Sequence, residues 1–302
     1  MTTTPQKSPA ADPPAQPGAF SPTLPQSVGV LGGGRMGAGI AHAFLTQGCD
    51  VLVVERDDDA AAGARTRVES AVAKSIDRGL AGTAGDYLAR LEVSTDYAGF
   101  AGRELVVEAV PEIWELKVSS LQAVEKHLAA DAVLASNTSS LSMSGLGAEL
   151  QRPENFIGLH FFNPVPASTL IEVVIAKQTA PALVAAAKGW VEALGKTAVV
   201  VNDAPGFASS RLGVMLALEA MRMVEEGVAS AEDIDNAMVL GYKHPTGPLR
   251  TTDIVGLDVR LGIAEYLAET LGERFTPPAI LREKVARGEL GRKTGKGFFD
   301  WA

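Results

Sequence analysis

A run of glycines between an apolar strand and a helix constrains the fold of this chain more than any other feature. From Ser27 the sequence reads SVGVLGGGRMGAGIAHAFL, in which Gly32, Gly34 and Gly37 are spaced as G-x-G-x-x-G. The first glycine of this pattern allows a tight turn, the second lets the backbone approach a pyrophosphate, and the third lets the helix pack against the strand. The amino terminus of the helix also offers N–H donors and a positive dipole to phosphate. The pattern therefore predicts a strand, a turn and a helix that hold a dinucleotide.

The next apolar run indicates which dinucleotide is bound. Residues 51–54 (VLVV) predict a strand that ends at Glu55, where an acid should meet the adenosine ribose. A carboxylate accepts from a free 2′-hydroxyl and repels a 2′-phosphate, so we expect NAD rather than NADP. Arg56 weakens this preference because a guanidinium could tolerate a phosphate, although stacking on adenine or facing solvent accounts for it equally well. The residues predicted to hold the cofactor from the glycine turn are Gly32, Gly34, Arg35, Met36 and Gly37, in addition to Glu55.

Strand-like and helix-like segments then alternate along the chain. The predicted strands are residues 104–109, 132–136, 156–160 and 170–175, with a helix over 115–128. This alternation predicts an α/β, Rossmann-type doubly wound domain over residues 27–202, which binds ligands at the carboxyl ends of its strands. The polar residues that follow strand ends, and should gather at that edge, are 136–140 (SNTSS), Glu112, Lys117 and His160. Taken singly, each is also an ordinary cap or turn residue.

His160 and Glu172 suggest proton-transfer chemistry at this edge. Histidine alone has an unperturbed side-chain pKa near neutrality, so an imidazole can take a proton from an alcohol while a hydride leaves the same carbon. A carboxylate bonded to the other ring nitrogen fixes the tautomer and stabilises the imidazolium, and Glu172 is the candidate for that role. The plainer alternative for a lone histidine in an apolar stretch is a core residue bonded to backbone. The dinucleotide signature upstream favours the catalytic interpretation.

Composition narrows the classes of function. The 302 residues carry a formal net charge of -9, which disfavours nucleic acid and anionic membranes as partners while allowing a local basic patch. No apolar run approaches the roughly 20 residues that span a bilayer. The single cysteine, Cys49, cannot form an intrachain disulfide, and the four histidines show no zinc-ligand spacing, so we expect no metal site and a cofactor that carries the redox chemistry.

The two ends of the chain differ from this middle part. Residues 1–26 are rich in Pro, Ala, Ser and Thr and predict a disordered tail, without the features of a secretory or mitochondrial leader, so we expect a cytoplasmic location. Beyond Asp203 the pattern becomes helical, which predicts an all-α domain over 203–302 with its boundary near Asn202. A helix over 212–224 is apolar almost all round, as expected in a domain core or between subunits, and another helix is predicted over 252–271.

Several motifs in the same order resemble one family. They are residues 32–41 (GGGRMGAGIA), 107–112 (VEAVPE), 136–142 (SNTSSLS), 152–173 (RPENFIGLHFFNPVPASTLIEV), 203–207 (DAPGF), 244–249 (HPTGPL), 253–258 (DIVGLD) and 291–299 (GRKTGKGFF). Together they resemble the NAD-dependent 3-hydroxyacyl-CoA dehydrogenase family, in particular its bacterial 3-hydroxybutyryl-CoA dehydrogenase type. The resemblance spans everything except the tail.

The resemblance implies an activity and a set of roles. It implies reversible oxidation of a short-chain (S)-3-hydroxyacyl-CoA to the 3-oxoacyl-CoA, with His160 as general base and Glu172 holding it. Ser139 would hydrogen-bond the substrate oxygen, and Asn163 would lie beside nicotinamide and substrate. The further residues that match cofactor-site positions are Glu112, Lys117 and Lys293, with Lys117 also placed near CoA. The helical domain would complete the acyl pocket and form a homodimer.

Two stretches depart from the family pattern. Ser210 stands where an asparagine that helps to polarise the substrate is usual, and a hydroxyl reaches less far than an amide. On a helix over residues 60–80, a basic stripe would form from residues that share one face, namely Arg67, Ser70, Lys74 and Arg78. The resemblance places the CoA-binding arm here, and Ser70 matches a family position. The family's arm lysine has no clean counterpart, so Lys74 is a candidate from the stripe itself, and a solvated helix face is an equally ordinary account.

Two other functions remain open from the sequence. Dehydrogenases of the 3-hydroxyisobutyrate and gulonate types share the same plan, and gulonate-type relatives keep the histidine. A non-catalytic, crystallin-like NAD-binding protein is the alternative from another class. The joint presence of His160, Glu172, Ser139 and Asn163 argues against lost activity.

Overall fold

The computed structural model describes residues 20–301. Within these residues the chain forms an eight-stranded sheet in the order β3-β2-β1-β4-β5-β6-β7-β8, followed by a helical region. The strands are β1 (Ser27–Leu31), β2 (Asp50–Val54), β3 (Leu91–Ser94), β4 (Leu105–Glu108), β5 (Val133–Ser136), β6 (Phe156–Phe161), β7 (Leu170–Ile175) and β8 (Thr197–Asn202). The helices are α1 (Arg35–Leu45), α2 (Asp58–Asp77), α3 (Ala84–Leu88), α4 (Trp114–Glu125), α5 (Met143–Ala148), α6 (Pro181–Ala193), α7 (Ser209–Glu225), α8 (Ala231–Asn236), α9 (Pro248–Val255), α10 (Leu257–Leu271) and α11 (Ala279–Ala286). The predicted fold class, a Rossmann-type α/β part with an all-α part after it, is confirmed.

The sheet is buried on both faces, which explains its continuous apolar strands. In β2, Val51 and Val53 pack into the layer that contains α1, α2 and α6, whereas Leu52 and Val54 pack into the layer that contains α4 and α5. The strands that the sequence missed, β3 and β8, are the two edges of the sheet. Edge strands are partly exposed, and β3 (LEVS) mixes polar with apolar residues, so its pattern predicts a strand only weakly. Strand β8 (TAVVVN) does carry an apolar, valine-rich run, which the sequence analysis did not use.

Strands β6 and β7 form the antiparallel pair of this sheet, whose other neighbouring strands run parallel. Their register places His160 directly opposite Glu172. Residues opposite each other on antiparallel strands point to the same face with their Cβ atoms about 5 Å apart. The strand pairing therefore brings together two side chains that are separated by twelve positions in the sequence.

The glycine turn has the geometry that its sequence predicts. Gly32 has a φ of +89°, in the region that favours glycine, and α1 begins three residues later. A Cβ on Gly37 would lie 1.7 Å from the carbonyl oxygen of Gly32, so the helix can pack this close only without a side chain there. A Cβ on Gly34 would meet no atom within 4 Å, which leaves an open approach to the backbone at the start of α1.

The helical region corrects one boundary. Residues 252–271 do not form one helix, because Gly256 interrupts it with a φ of +111° and separates α9 from α10. Helix α7 buries Val214, Leu218 and Met221 but leaves Leu212 65% exposed, so it is not enclosed on all sides within one chain.

The predicted tail also needs a partial correction. Its residues 1–19 lie outside the described part of the chain. Residues 20–26 pack against the protein, since Leu24 is buried in the core and Ser21 accepts a hydrogen bond of 2.9 Å from the indole N–H of Trp190. The prediction of disorder is therefore wrong for these residues, whose few apolar side chains find a surface on α6 that composition could not reveal. Among the described residues, no helix is long and apolar enough to cross a membrane.

Gly37→Ala should lower the free energy of unfolding by about 2–3 kcal/mol, because the added methyl overlaps a backbone oxygen that cannot move without distorting the turn. Gly34→Ala is the matched control, since its φ of -62° suits alanine and the space around it is empty; its effect should stay within about 1 kcal/mol. Urea unfolding of both variants measures the difference. Equal destabilisation by the two substitutions would contradict this account of the turn.

Candidate active site

His160 and Glu172 form a buried hydrogen-bonded pair. Nδ1 of His160 lies 2.8 Å from Oε2 of Glu172, and the two side chains are 8% and 1% exposed. An ionised carboxylate only accepts hydrogen bonds, so Nδ1 carries the hydrogen in this pair. Nε2 is the ring nitrogen left to face the cavity that His160 lines. The pair has the geometry of an oriented general base.

The start of α7 holds the same carboxylate from the other side. The backbone N–H and the hydroxyl of Ser209 each donate to Glu172 over 2.8 Å, and the N–H of Ala208 donates over 3.2 Å. Burial pushes the pKa of Glu172 up, but the hydrogen bonds from His160 and Ser209 outweigh it and leave the pKa lowered. Glu172 is therefore kept ionised opposite the imidazole.

Ser209 is the residue that sequence reasoning did not single out. The sequence directed attention to its neighbour Ser210, which lines none of the three cavities around the site. Two adjacent serines at a helix start differ only in the direction they face, and that direction depends on where α7 begins relative to β7. Hydroxyls at a helix start are a signal for capping, but no pattern in the sequence specified a carboxylate on another element as the acceptor.

A reaction cavity of about 590 Å³ lies in front of His160. Half of the predicted catalytic and cofactor residues meet there, namely Arg35, Met36, Glu112, Lys117, Ser139, His160 and Asn163. Val259 of α10 also lines it, so the helical region contributes one wall. The ring of Phe162 lies 4.4 Å from the His160 ring, measured between centroids, and shields the imidazole on one side.

Glu112 and Lys117 fix the loops around this cavity. One oxygen of Glu112 accepts from the backbone N–H of Ser139 at 2.9 Å and also from the Thr138 hydroxyl, which ties the SNTSS turn to the loop after β4. The Lys117 ammonium donates to Glu108 at 2.7 Å and to the carbonyl of Val110 at 3.1 Å, and it lies 3.2 Å from Glu112. Burial alone would raise the pKa of Glu112, but the Lys117 charge and the hydrogen bonds from the turn lower it overall.

This arrangement changes the interpretation of Lys117. Its side chain is 1% exposed, and its ammonium donates to Glu108 and to the carbonyl of Val110 and forms an ion pair with Glu112. The Glu108 and Glu112 carboxylates beside the ammonium would repel a phosphate, so the position of Lys117 disfavours the predicted contact with CoA. The sequence could not show this, because it does not reveal that Glu108 is buried beside Lys117. Lys117 holds Glu112 at the cavity wall.

A dinucleotide cavity of about 540 Å³ opens beside the glycine turn. The predicted cofactor residues that line it are Gly32, Gly34, Arg35, Met36 and Glu55. Glu55 accepts from the N–H of Gly33 at 2.7 Å, which fixes the carboxylate at the end of β2. Arg56 bonds Asp57 at 2.9 Å with an 83% exposed side chain, so a solvent-facing ion pair occupies its guanidinium. Gly37 lines no part of this cavity and serves the packing under the turn.

These features fit NAD. The open face of Gly34 and the start of the eleven-residue helix α1 leave room and N–H donors for a diphosphate. Glu55 lies at the cavity wall where a ribose diol would be held.

A basic cavity of about 600 Å³ lies between α1, α2 and the loop over residues 163–167. Its charged and candidate residues are Arg35, Arg67, Ser70, Lys74 and Arg78, and no acidic side chain lines it. The predicted basic stripe on α2 therefore faces a cavity rather than open solvent. Arg35 and Asn163 line both this cavity and the reaction cavity, so the two are adjacent.

Lys293 lies apart from these cavities. Its ammonium bonds Asp258 at 2.6 Å, and it lines none of the three cavities. The surrounding GRKTGKGFF segment folds against Asp253, which accepts from the backbone N–H groups of Phe298 and Phe299. This motif therefore supports the helical region in the single chain. Among residues 20–301, no cluster of acidic, histidine and cysteine side chains could hold a metal ion.

A glycine turn open to a dinucleotide, beside a histidine oriented by a carboxylate, defines a nicotinamide-dependent dehydrogenase. The sequence model of the 3-hydroxyacyl-CoA dehydrogenase NAD binding domain matches residues 27–204, and that of the C-terminal domain of the same family matches residues 206–301. The chain belongs to the 3-hydroxyacyl-CoA dehydrogenase family, and the predicted resemblance is confirmed.

Individual relatives agree with this assignment. The chain is 38% identical over 275 residues to a probable 3-hydroxybutyryl-CoA dehydrogenase of Deinococcus radiodurans, a match that covers 90% of this chain and 99% of that protein. It is 37% identical over 288 residues to the mitochondrial hydroxyacyl-coenzyme A dehydrogenase of Sus scrofa, covering 92% of each. The solved structure of an (S)-3-hydroxybutyryl-CoA dehydrogenase from Ralstonia eutropha superposes with a TM-score of 0.88 at 37% identity, covering 92% of this chain and 99% of that one.

Proposed function

We propose that this chain catalyses the NAD-dependent, reversible oxidation of a short-chain (S)-3-hydroxyacyl-CoA, such as 3-hydroxybutyryl-CoA, to the 3-oxoacyl-CoA. One observation carries the proposal: the imidazole held by Glu172 lines a cavity that adjoins both the dinucleotide cavity and the basic cavity. A substrate with an alcohol at one end and phosphates at the other matches this arrangement. Membership of the family supports the same activity.

His160 acts as the general base in the oxidation. Its free Nε2 accepts the proton of the 3-hydroxyl group. NAD held beside the glycine turn would supply the hydride acceptor for the same carbon. The imidazolium that forms is stabilised by Glu172, which is already ionised and fixed by Ser209. In the reverse direction the imidazolium returns the proton to the 3-oxo group.

Ser139 and Asn163 position the reacting carbon in this proposal. Both line the reaction cavity with His160, where a hydroxyl and an amide can orient the substrate oxygens. Glu112 and Lys117 keep the Ser139 turn in place. Ser210 lies one residue from the Glu172 contact and takes part through α7.

The basic cavity binds the phosphates of CoA. Lys74 supplies charge and Ser70 a hydroxyl from one face of α2, and the absence of acidic lining residues favours a polyanion. The acyl end then points past Asn163, which lines both cavities, toward His160.

We further propose that residues 27–202 form the NAD-binding domain and residues 203–302 a helical domain that completes the substrate pocket and forms a homodimer in the cytoplasm. Large apolar side chains are exposed on the helical region, and a second copy of this chain would cover them. They include Leu212, Leu216, Leu240, Tyr242 and Val255.

His160→Ala should lower kcat with acetoacetyl-CoA and NADH by about 10²–10⁴-fold, because proton transfer loses its catalyst. The dissociation constant for NADH should change by less than about twofold, since the dinucleotide cavity does not include His160. Steady-state kinetics and fluorescence titration measure the two quantities. Loss of NADH binding together with activity would mean that His160 is structural and would remove it from the mechanism.

Ser209→Ala should move the acidic limb of the pH profile for hydroxyacyl-CoA oxidation to higher pH by about 0.5–1 unit. Without the hydroxyl, Glu172 loses one of the hydrogen bonds that lower its pKa, so the carboxylate becomes protonated at a higher pH and no longer supports the imidazole there. His160 is the ionisable group that faces Glu172 within the described chain; Val199, opposite it on β8, is apolar.

Ser209→Thr is the matched control, because threonine keeps the donor and should keep the wild-type profile. If Ser209→Ala lowers the oxidation rate but leaves the pH profile where it is in the wild type, Ser209 has a purely structural role at the start of α7.

A further inference from the structure

We infer that Arg67 couples the binding of NAD to the binding of the CoA ester, with Arg35 assisting it. The inference rests on the proposed function, which places one polyanion in each of two neighbouring cavities. Arg67 lines both the dinucleotide cavity and the basic cavity, and Arg35 lines these two and the reaction cavity. Each of the two arginines therefore lies where it can contact more than one bound ligand.

Contacts within the protein fix the guanidinium of Arg67 at this junction. Its Nη1 donates to the carbonyl oxygen of Gly33 over 3.1 Å, which ties α2 to the glycine turn itself. A Cβ on Gly63 would lie 3.3 Å from the same nitrogen. A glycine inside a helix costs about 1 kcal/mol relative to alanine, and here it leaves room for the guanidinium to lie across α2.

The chemistry of the guanidinium suits a shared role. Arginine presents five N–H donors in a plane, and the Gly33 carbonyl uses one of its edges, so donors remain for phosphate on either side. Two polyanions bound in these neighbouring cavities would otherwise repel each other. A cation between them replaces part of that repulsion with attraction to both ligands, which makes the binding of each favour the binding of the other.

Neighbouring arginines provide matched controls. Arg56 lines the dinucleotide cavity but not the basic cavity, and Arg78 lines the basic cavity but not the dinucleotide cavity. Each carries the same charge as Arg67, but Arg78 faces the basic cavity alone, and Arg56 borders the dinucleotide cavity alone with its guanidinium paired to Asp57. A substitution at either position should therefore weaken the binding of at most one ligand, without changing the factor by which each ligand tightens the binding of the other.

The test measures the dissociation constant of NADH with and without saturating coenzyme A, the free thiol, which cannot be turned over. In the wild type, coenzyme A should tighten NADH binding by about 5–20-fold, within the usual range of coupling between two sites, and NADH should tighten coenzyme A by the same factor. Arg67→Gln should reduce the factor to about one to twofold, and Arg67→Lys, which keeps the charge without the fork, should restore part of it. Arg56→Gln and Arg78→Gln should keep the wild-type factor.

Each contrary result has one meaning. The inference is overturned if Arg67→Gln leaves the coupling factor between NADH and coenzyme A unchanged, or if all three glutamine variants lose it equally. Either result leaves the proposed function intact. Failure of coenzyme A to bind the wild-type protein overturns the inference and the proposed acyl-CoA function together. Circular dichroism of each variant establishes that the fold is retained, as expected for exposed side chains.

Discussion

The carboxylate of Glu172 is the contact on which the site depends. It accepts from His160 on β6, from the backbone of Ala208 and from both donors of Ser209, so it joins the sheet to the first helix of the helical region. Glu172 is 1% exposed, and a charge this deep persists only when its oxygens are fully bonded. The same hydrogen bonds that offset its burial also orient the imidazole. Stability and orientation of the base are therefore set by one group.

The parts that the sequence predicted are those whose physics is local. A strand, three spaced glycines and a helix determine the dinucleotide turn within a few residues. The position of Glu55 as the ribose-binding acid follows from the length of β2, which it directly follows. The apolar run of β7 had the bounds that its composition predicts, residues 170–175. His160 and Glu172 were found because their residue types allow only a few kinds of chemistry, and the strand register then brought them together.

The parts that the sequence missed depend on contacts between distant elements. Ser209 rather than Ser210 meets Glu172 because of the rotation of α7 about its axis, which neighbouring elements fix. Lys117 proved to be a buried partner of Glu108 because α4 packs against β4. The break at Gly256 reflects a backbone conformation that the amino-acid pattern permits but does not require. Each of these features arises from packing, which composition and periodicity do not encode.

The measurement that tests the central claim most directly is NADH oxidation with acetoacetyl-CoA, run beside free acetoacetate and beside NADPH. The account predicts turnover with the CoA ester and NADH, a loss of most of the activity with free acetoacetate, and a preference for NADH that follows from Glu55 at the ribose position. Turnover of a free keto acid without a need for the CoA ester would contradict it. The chain would then be a hydroxy-acid or sugar-acid dehydrogenase, and the basic cavity on α2 would have no part in substrate recognition.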